Sequence, residues 1–126
     1  MKAPRRIQRE ARALVFARDR GLCQLCGGVS WKDGVSTHHR LNRGRGGSAK
    51  LERASILIMA CGDGVRGCHG RVTENPEWAK SIGWLLPRNN PDIDPEREPI
   101  LLWDGWCMLG DDGSRTPCTP PSEVAG

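Results

Sequence analysis

The segment ILIMACGDGVRGCHGRV, residues 56–72, indicates the architecture of the core because its residues favour, in order, a strand, a turn and the start of a helix. Its first four residues, 56–59, favour a β-strand that ends at Cys61. The glycine-rich GDGVRG at 62–67 is typical of a turn, and His69 is predicted to open a helix just after it. The segment therefore predicts a strand and a helix that meet across a short turn.

A second strand is predicted upstream of this segment. In VSWKDGVSTHHR, residues 29–40, a DG pair lies between β-favouring residues and predicts a turn into a strand that ends at His38 and His39. The following LNRGRGGSAK, residues 41–50, has the composition of an irregular loop. Two strands and a helix of this kind make an α+β core.

An amphipathic helix is predicted over residues 5–19, with Gly21 as its stop signal. Its stripe at helical spacing is Ile7, Ala11, Leu14, Val15 and Arg18, and the basic residues on its other faces are Arg5, Arg6, Arg9, Arg12 and Arg20. These charges are either the solvated face of a surface helix or contacts to phosphate. Their position relative to a nucleic-acid site decides between the two.

The C-terminal part of the chain is predicted to be less continuous. A helix over 77–82 begins near Pro76 and ends at Gly83. A segment rich in Pro, Asp and Glu follows, and residues 100–118 predict a hairpin or a small meander. The predicted division is an N-terminal basic helix (1–20), a core (21–86), a linker (87–99), a C-terminal β-hairpin (100–118) and a frayed tail (119–126).

The length of 126 residues suits one domain with a modest core. Residues 1–71 carry 15 basic and 5 acidic side chains, whereas residues 72–126 carry 4 and 10. This asymmetry indicates a polyanionic partner such as nucleic acid and argues against an enzyme of small anionic substrates. Because no apolar run is long enough for a membrane span or a secretory signal, we expect a cytosolic protein with no membrane partner.

Six cysteines in a cytosolic protein are interpreted first as metal ligands, because the cytosol keeps thiols reduced. Cys23 and Cys26 form a CxxC turn, and Cys61 and Cys68 supply a second pair about 35 residues later. Four thiolates suit a structural zinc ion, and unconnected buried thiols are the alternative. The cysteines assigned to neither a metal site nor a disulfide are Cys107 and Cys118.

The three histidines lie at predicted strand or helix ends, beside these cysteines. Adjacent residues of a strand point to opposite faces, so His38 and His39 can serve one site only if the strand breaks there. The glycine-rich loop that follows predicts such a break. One imidazole can then bind a metal ion while the other keeps a separate role.

Three motifs in this order, CQLCGG (23–28), THHRLNRGRGGS (37–48) and ILIMACGDGVRGCHGRV (56–72), resemble the HNH endonuclease family, most of all its small phage-encoded members. The resemblance covers about residues 18–86. ILLWDGWCMLGDDGS (100–114) is also similar to the hairpin that follows in those phage proteins. The resemblance implies a ββα-metal, treble-clef-like fold with a four-cysteine zinc site and a DNA phosphodiester hydrolase that uses no nucleotide cofactor.

Carried over by position, the resemblance makes His39 the general base and makes His38 and His69 ligands of a catalytic ion, expected to be Mg²⁺, Mn²⁺ or Ni²⁺. In the family an Asn at the start of the second strand holds the loop that carries the histidines and so orients the general base. It falls in RASILIMAC (53–61), where the resemblance gives this role to Ser55 or a neighbour, without the two-ended amide. Thr73 stands where some members have a further histidine, so water and phosphate oxygens would complete the coordination. The expected DNA contacts are Arg40, Arg43, Arg45 and Arg71.

The leading interpretation is a metal-dependent DNA nuclease with weak sequence preference, since the expected contacts are to the DNA backbone. A zinc-containing nucleic-acid-binding module without catalysis is the alternative, and the absent Asn favours it. A structural or assembly protein that docks through its acidic tail is a third interpretation. Because phage relatives often sit beside the packaging terminase, the resemblance makes that enzyme an expected partner in the host cytosol.

Overall fold

The computed structural model describes residues 5–28, 34–41, 52–87 and 92–121. The predicted α+β class is confirmed, and no helix in these ranges is long and apolar enough to cross a membrane. In chain order the elements are α1 (Arg5–Asp19), β1 (Val35–His39), β2 (Leu57–Cys61), α2 (Gly67–Glu74), α3 (Pro76–Ser81), a single 3-10 turn (Pro95–Arg97), β3 (Ile100–Leu102), β4 (Gly105–Leu109) and β5 (Arg115–Pro117).

The antiparallel sheet of β1 and β2 carries the histidine pair. His38 pairs with Ile58 and His39 pairs with Leu57, so the ladder runs through both histidines. Their side chains therefore point to opposite faces of the sheet. The predicted break comes after His39 and not between the two histidines.

The turn between β2 and α2 depends on two glycines. Gly62 (φ 83°) and Gly67 (φ 65°) adopt left-handed backbone conformations that other residues rarely reach. A Cβ atom on Gly62 would also collide with the carbonyl oxygen of Arg66. The turn returns the chain so that the backbone N–H of Cys68 lies 3.4 Å from the sulfur of Cys61.

Helix α1 packs on β2 through apolar contacts and one buried ion pair. Val15 is buried against Leu57, as the helical stripe predicts. Arg18 donates to the Asp19 carboxylate at 2.7 Å and to the carbonyl oxygen of Leu57 at 2.7 Å. Asp19 in turn accepts the backbone N–H of Met59 at 3.0 Å. Because Arg18 and Asp19 are almost fully buried, these charged hydrogen bonds fix α1 against the strand.

The C-terminal residues form a three-stranded antiparallel meander, β3–β4–β5, rather than a single hairpin. The meander shares the main core with β2 and α3, because Trp84 is fully buried and its indole N–H donates to the carbonyl oxygen of Leu101 at 2.8 Å. The predicted linker also contributes, since Pro95 is buried. The meander is therefore part of the same hydrophobic core as the first sheet.

Candidate functional site

The four predicted ligand cysteines, Cys23, Cys26, Cys61 and Cys68, lie together. Their sulfur atoms are all within 4.8 Å of one another, and those of Cys26 and Cys61 are 4.0 Å apart. A tetrahedral zinc ion with Zn–S bonds of about 2.3 Å holds its sulfur ligands about 3.8 Å from one another. The cluster can therefore hold a metal ion such as zinc. The cysteines outside it are Cys107 and Cys118.

Backbone N–H groups point at the sulfur atoms of this cluster. The N–H of Cys26 lies 3.5 Å from the sulfur of Cys23, and the N–H of Cys68 lies 3.4 Å from that of Cys61. Burial raises the pKa of Cys23, but backbone hydrogen bonds from Cys26, Cys61 and Leu25 and a side-chain hydrogen bond with Cys26 together outweigh it, so the net pKa is lowered. Burial raises the pKa of Cys68. The N–H groups favour the thiolate form that a metal ion needs.

His38 and His69 form a second group, where β1 and α2 meet. Their rings are nearly perpendicular, with centroids 5.2 Å apart. Two imidazoles that share one ion with metal–nitrogen bonds of about 2.1 Å have ring centroids about 5 Å apart. The spacing of the pair therefore fits a shared metal ion.

Hydrogen bonds fix the tautomer of both rings. His38 Nε2 lies 2.6 Å from the carbonyl oxygen of Trp84, which only accepts, so Nε2 carries the hydrogen and Nδ1 keeps the lone pair. The Ser36 hydroxyl lies 2.6 Å from the carbonyl oxygen of Gly62 and 2.6 Å from His69 Nδ1. Since the Gly62 carbonyl also only accepts, Ser36 donates to it and accepts from Nδ1–H, which leaves the lone pair of His69 on Nε2.

The same two imidazoles are neutral at pH 7. Burial lowers the pKa of His38 to about 4. Burial also lowers the pKa of His69. A neutral imidazole with its second nitrogen hydrogen-bonded is the form in which histidine binds metal ions.

His39 lies on the opposite face of β1 and contacts different residues. Its Nε2 atom is 3.5 Å from Oε2 of Glu52, and the two side chains are 15% and 5% exposed. The other carboxylate oxygen of Glu52 is 3.3 Å from the guanidinium of Arg12 on α1. The structure thus brings His38 and His69 together and does not place His39 on their face.

Ser55 does not have the role predicted for it. Its hydroxyl donates to the carboxylate of Asp111 at 2.5 Å, and its backbone N–H lies 3.3 Å from the same oxygen. Ser55 is fully buried, and Asp111 lies in the turn between β4 and β5. The hydroxyl therefore joins the first sheet to the meander instead of orienting His39.

Arg40 was predicted to contact DNA, and the structure contradicts this. Its side chain is fully buried, and burial lowers its pKa to about 10. The guanidinium is surrounded by four backbone acceptors that come from three segments of the chain. These are the carbonyl oxygens of Ser55 (2.9 Å), Gly83 (2.8 Å), Pro95 (3.3 Å) and Glu98 (2.8 Å). Arg40 is a structural residue that joins these segments.

Replacing Arg40 by Met is expected to lower the free energy of unfolding by about 3–5 kcal/mol, because several buried carbonyl groups lose their donor. The matched control is Arg71→Met at an exposed position, where a change within about 0.5 kcal/mol is expected. Urea denaturation of both variants measures the difference. Equal midpoints, together with weaker DNA binding by the Arg40 variant, would restore the DNA-contact interpretation.

Of the other predicted DNA contacts, Arg71 lies within the described residues. Arg71 is exposed on α2, and its guanidinium carbon lies 4.4 Å from the ring centroid of Trp78. It follows His69 by two positions, so the two side chains do not share a face of the helix. Its contact with DNA stays a prediction. The predicted contacts that lie outside the described residues are Arg43 and Arg45.

Three residues of the site were missed by sequence reasoning: Ser36, Glu52 and Trp84. Ser36 had a usable signal, because it precedes His38 by two positions on a predicted strand and shares its face. No sequence pattern pointed to Glu52 or to the Trp84 carbonyl. They contact His39 and His38 through tertiary contacts from 13 and 46 residues away.

Comparison of the chain with models of protein families, with curated proteins and with solved structures gives no match.

Proposed function

We propose that the protein is a metal-dependent endonuclease that hydrolyses phosphodiester bonds of DNA. The observation that supports this most is the pair His38 and His69, which are neutral and have their lone pairs set by hydrogen bonds to a carbonyl and a hydroxyl. This arrangement is typical of metal ligands. Phosphate binding alone is served by Arg and Lys and does not explain a pair of neutral histidines.

In this proposal the four-cysteine cluster holds a structural zinc ion. Cys61 ends β2 and Cys68 lies in the first turn of α2, so a common ion fixes the angle between strand and helix. His69 follows Cys68 directly. The zinc site therefore positions one ligand of the proposed catalytic ion without taking part in the reaction.

His38 and His69 would hold the catalytic ion, Mg²⁺, Mn²⁺ or Ni²⁺, through Nδ1 and Nε2. A bound divalent ion supplies positive charge to the scissile phosphate and to the leaving 3′ oxygen. His39, the histidine without a ligand role, accepts the proton of the attacking water. We place the phosphodiester across the end of β1, where side chains from both faces of the strand can reach it.

The position of α1 favours phosphate contact as the role of its basic residues. Arg12 contacts Glu52, and Glu52 contacts His39, so this helix lies beside the proposed general base. Arg9 on this helix and Arg20 just after it are exposed. Contacts of this type are made to the DNA backbone, which is why weak sequence preference is expected.

Incubating supercoiled plasmid with the zinc-loaded protein and Mg²⁺, Mn²⁺ or Ni²⁺ tests the proposal. Nicked or linear product is expected with at least one of these ions. Retardation of DNA in a gel without any cleavage would favour the binding module instead.

The binding module without catalysis is the second candidate function. The observation in its favour is that His39 points away from His38 and His69, because the ladder of β1 continues through both adjacent histidines. In that case the four cysteines and the basic helix would suffice for nucleic-acid binding. Plasmid cleavage separates the two candidates.

Ser36→Ala is expected to weaken divalent-ion binding about 10- to 100-fold, because His69 loses the acceptor that fixes its tautomer. Thr37→Ala is the matched control, since it removes a hydroxyl from the neighbouring residue on the opposite face of β1. Calorimetric titration of the zinc-loaded proteins with Ni²⁺ measures both. Equal affinities in the two variants would contradict the assignment of His69 as a ligand.

A further inference from the structure

We propose that Glu52 is the positioning residue of His39: its carboxylate accepts the N–H of Nε2 and so keeps the lone pair of His39 on Nδ1, the atom that takes the proton of the attacking water. This inference rests on the proposed nuclease function. It assigns to Glu52 the orienting role that the sequence led us to expect of Ser55, whose hydroxyl is bound to Asp111.

The contact between Glu52 and His39 is shielded from water. Glu52 Oε2 and His39 Nε2 are 3.5 Å apart, and neither atom is accessible to solvent. A buried carboxylate oxygen is costly unless a donor faces it. The separation is long for a hydrogen bond, and bonds of this kind often shorten when substrate binds.

The charge of Glu52 determines which nitrogen of His39 carries the hydrogen. An ionised carboxylate only accepts hydrogen bonds, so the nitrogen that faces it must be N–H. The lone pair then stays on Nδ1. An imidazole with the opposite tautomer has no lone pair at that atom and cannot act as the base there.

Arg12 fixes the direction of the carboxylate. Its guanidinium lies 3.3 Å from Oε1 of Glu52, which leaves Oε2 for His39. Arg12 extends from α1 and His39 ends β1, so Glu52 connects the basic helix to the proposed general base. This arrangement predicts that a Glu52→Gln variant has the opposite tautomer of His39.

In Glu52→Gln the amide has one oxygen and one NH₂ group. Arg12 only donates, so it is expected to attract the oxygen, and the NH₂ group then donates to His39. The histidine is forced into the Nδ1–H tautomer. We expect kcat for plasmid cleavage to fall about 10²- to 10³-fold, with KM for DNA changed less than about twofold.

The double variant Arg12→Met/Glu52→Gln is the decisive control. Without Arg12 the amide can turn its oxygen to His39, so the Nε2–H tautomer should return together with part of kcat. A merely structural role of Glu52 does not predict this rescue. Arg12→Met alone keeps the carboxylate and is expected to keep the Nε2–H tautomer.

Proton–nitrogen correlation spectra of ¹⁵N-histidine-labelled, zinc-loaded protein report the tautomer of His39 without any need for activity. Nε2–H in the wild type, Nδ1–H in Glu52→Gln and recovery in the double variant are expected. Nδ1–H in the wild type, or Nε2–H with undiminished kcat in Glu52→Gln, would overturn the proposal. If the wild type shows the expected tautomer but cuts no DNA, the nuclease function fails while the contact between Glu52 and His39 stands.

Discussion

Cys68→Ser is expected to unfold the protein, and Cys23→Ser to do the same. Metal binding at a site of four cysteines contributes folding free energy on the order of 10 kcal/mol or more, which is as large as the whole net stability of a small domain. The four sulfur atoms connect the 23–26 turn, the end of β2 and the start of α2, all within 4.8 Å. Loss of one ligand therefore releases three parts of the core together.

Circular dichroism and elemental analysis of purified variants measure this effect. We expect one zinc ion per wild-type chain, and little metal and little fixed structure in the two serine variants. Cys118→Ser is the matched control at a partly exposed cysteine outside the cluster. Cys107→Ser places a hydroxyl in the core and should cost about 1–2 kcal/mol without loss of zinc. Absence of zinc from the wild type, or equal damage in all these variants, would contradict the structural zinc site.

His39→Ala is expected to abolish detectable DNA cleavage and to leave the fold intact. Removal of a general base costs about 10²- to 10⁴-fold in rate. The side chain is 15% exposed at the end of β1, and its removal leaves Oε2 of Glu52 without a facing donor, so the free energy of unfolding should fall by about 1–3 kcal/mol while the protein stays folded. Plasmid cleavage, thermal melting and zinc content of the same preparation separate the catalytic effect from a structural one.

His38→Ala provides the contrast to this variant. It removes a proposed ligand, so cleavage should also fall but should recover in part when the concentration of the divalent ion is raised. His39→Ala should not recover in this way. Undiminished cleavage by the His39→Ala variant would show that His39 is not the general base.

The elements that could be predicted from the sequence are those that local residues determine. The strand that ends at the histidines, the glycine turn after Cys61 and the helix that contains His69 all follow from neighbouring residues. The cysteine cluster was predictable for a different reason. Two separated pairs of thiols in one chain are typical ligands of a shared metal ion. The cluster could therefore be predicted without knowing the path of the chain between the two pairs.

The burial of Arg40 could not be predicted from its neighbours in the sequence. It precedes a loop rich in arginine and glycine, and in that setting an arginine is expected to contact phosphate. Its acceptors come from positions 15 to 58 residues further along the chain, so no neighbouring residue signals its burial. Four carbonyl groups converge on it only when the segments before β2, after α3 and before β3 are packed against the end of β1.

The histidines show the same limit of local reasoning. The sequence predicted that His38 and His39 need a break in the strand to serve one site, and the continuous ladder shows the two faces instead. The contact between His39 and Glu52 depends on how the chain crosses from β1 to β2, and this path has no pattern of its own in the sequence. The prediction that Ser55 orients His39 was wrong for this reason. The strand after the loop could be predicted from the sequence, but the residue that contacts His39 could not.

Metal-dependent cleavage of DNA can be measured in a single plasmid assay. Zinc-loaded wild-type protein, with its zinc content determined beforehand, is incubated with supercoiled plasmid and, in separate tubes, Mg²⁺, Mn²⁺ or Ni²⁺, each with and without a chelator added in excess over the ion. We expect nicked or linear plasmid with at least one ion and only in the absence of the chelator, and no product with His39→Ala in either condition. Bound but uncut plasmid in every tube, or cleavage that the chelator and His39→Ala both leave unchanged, would contradict metal-dependent cleavage by this protein.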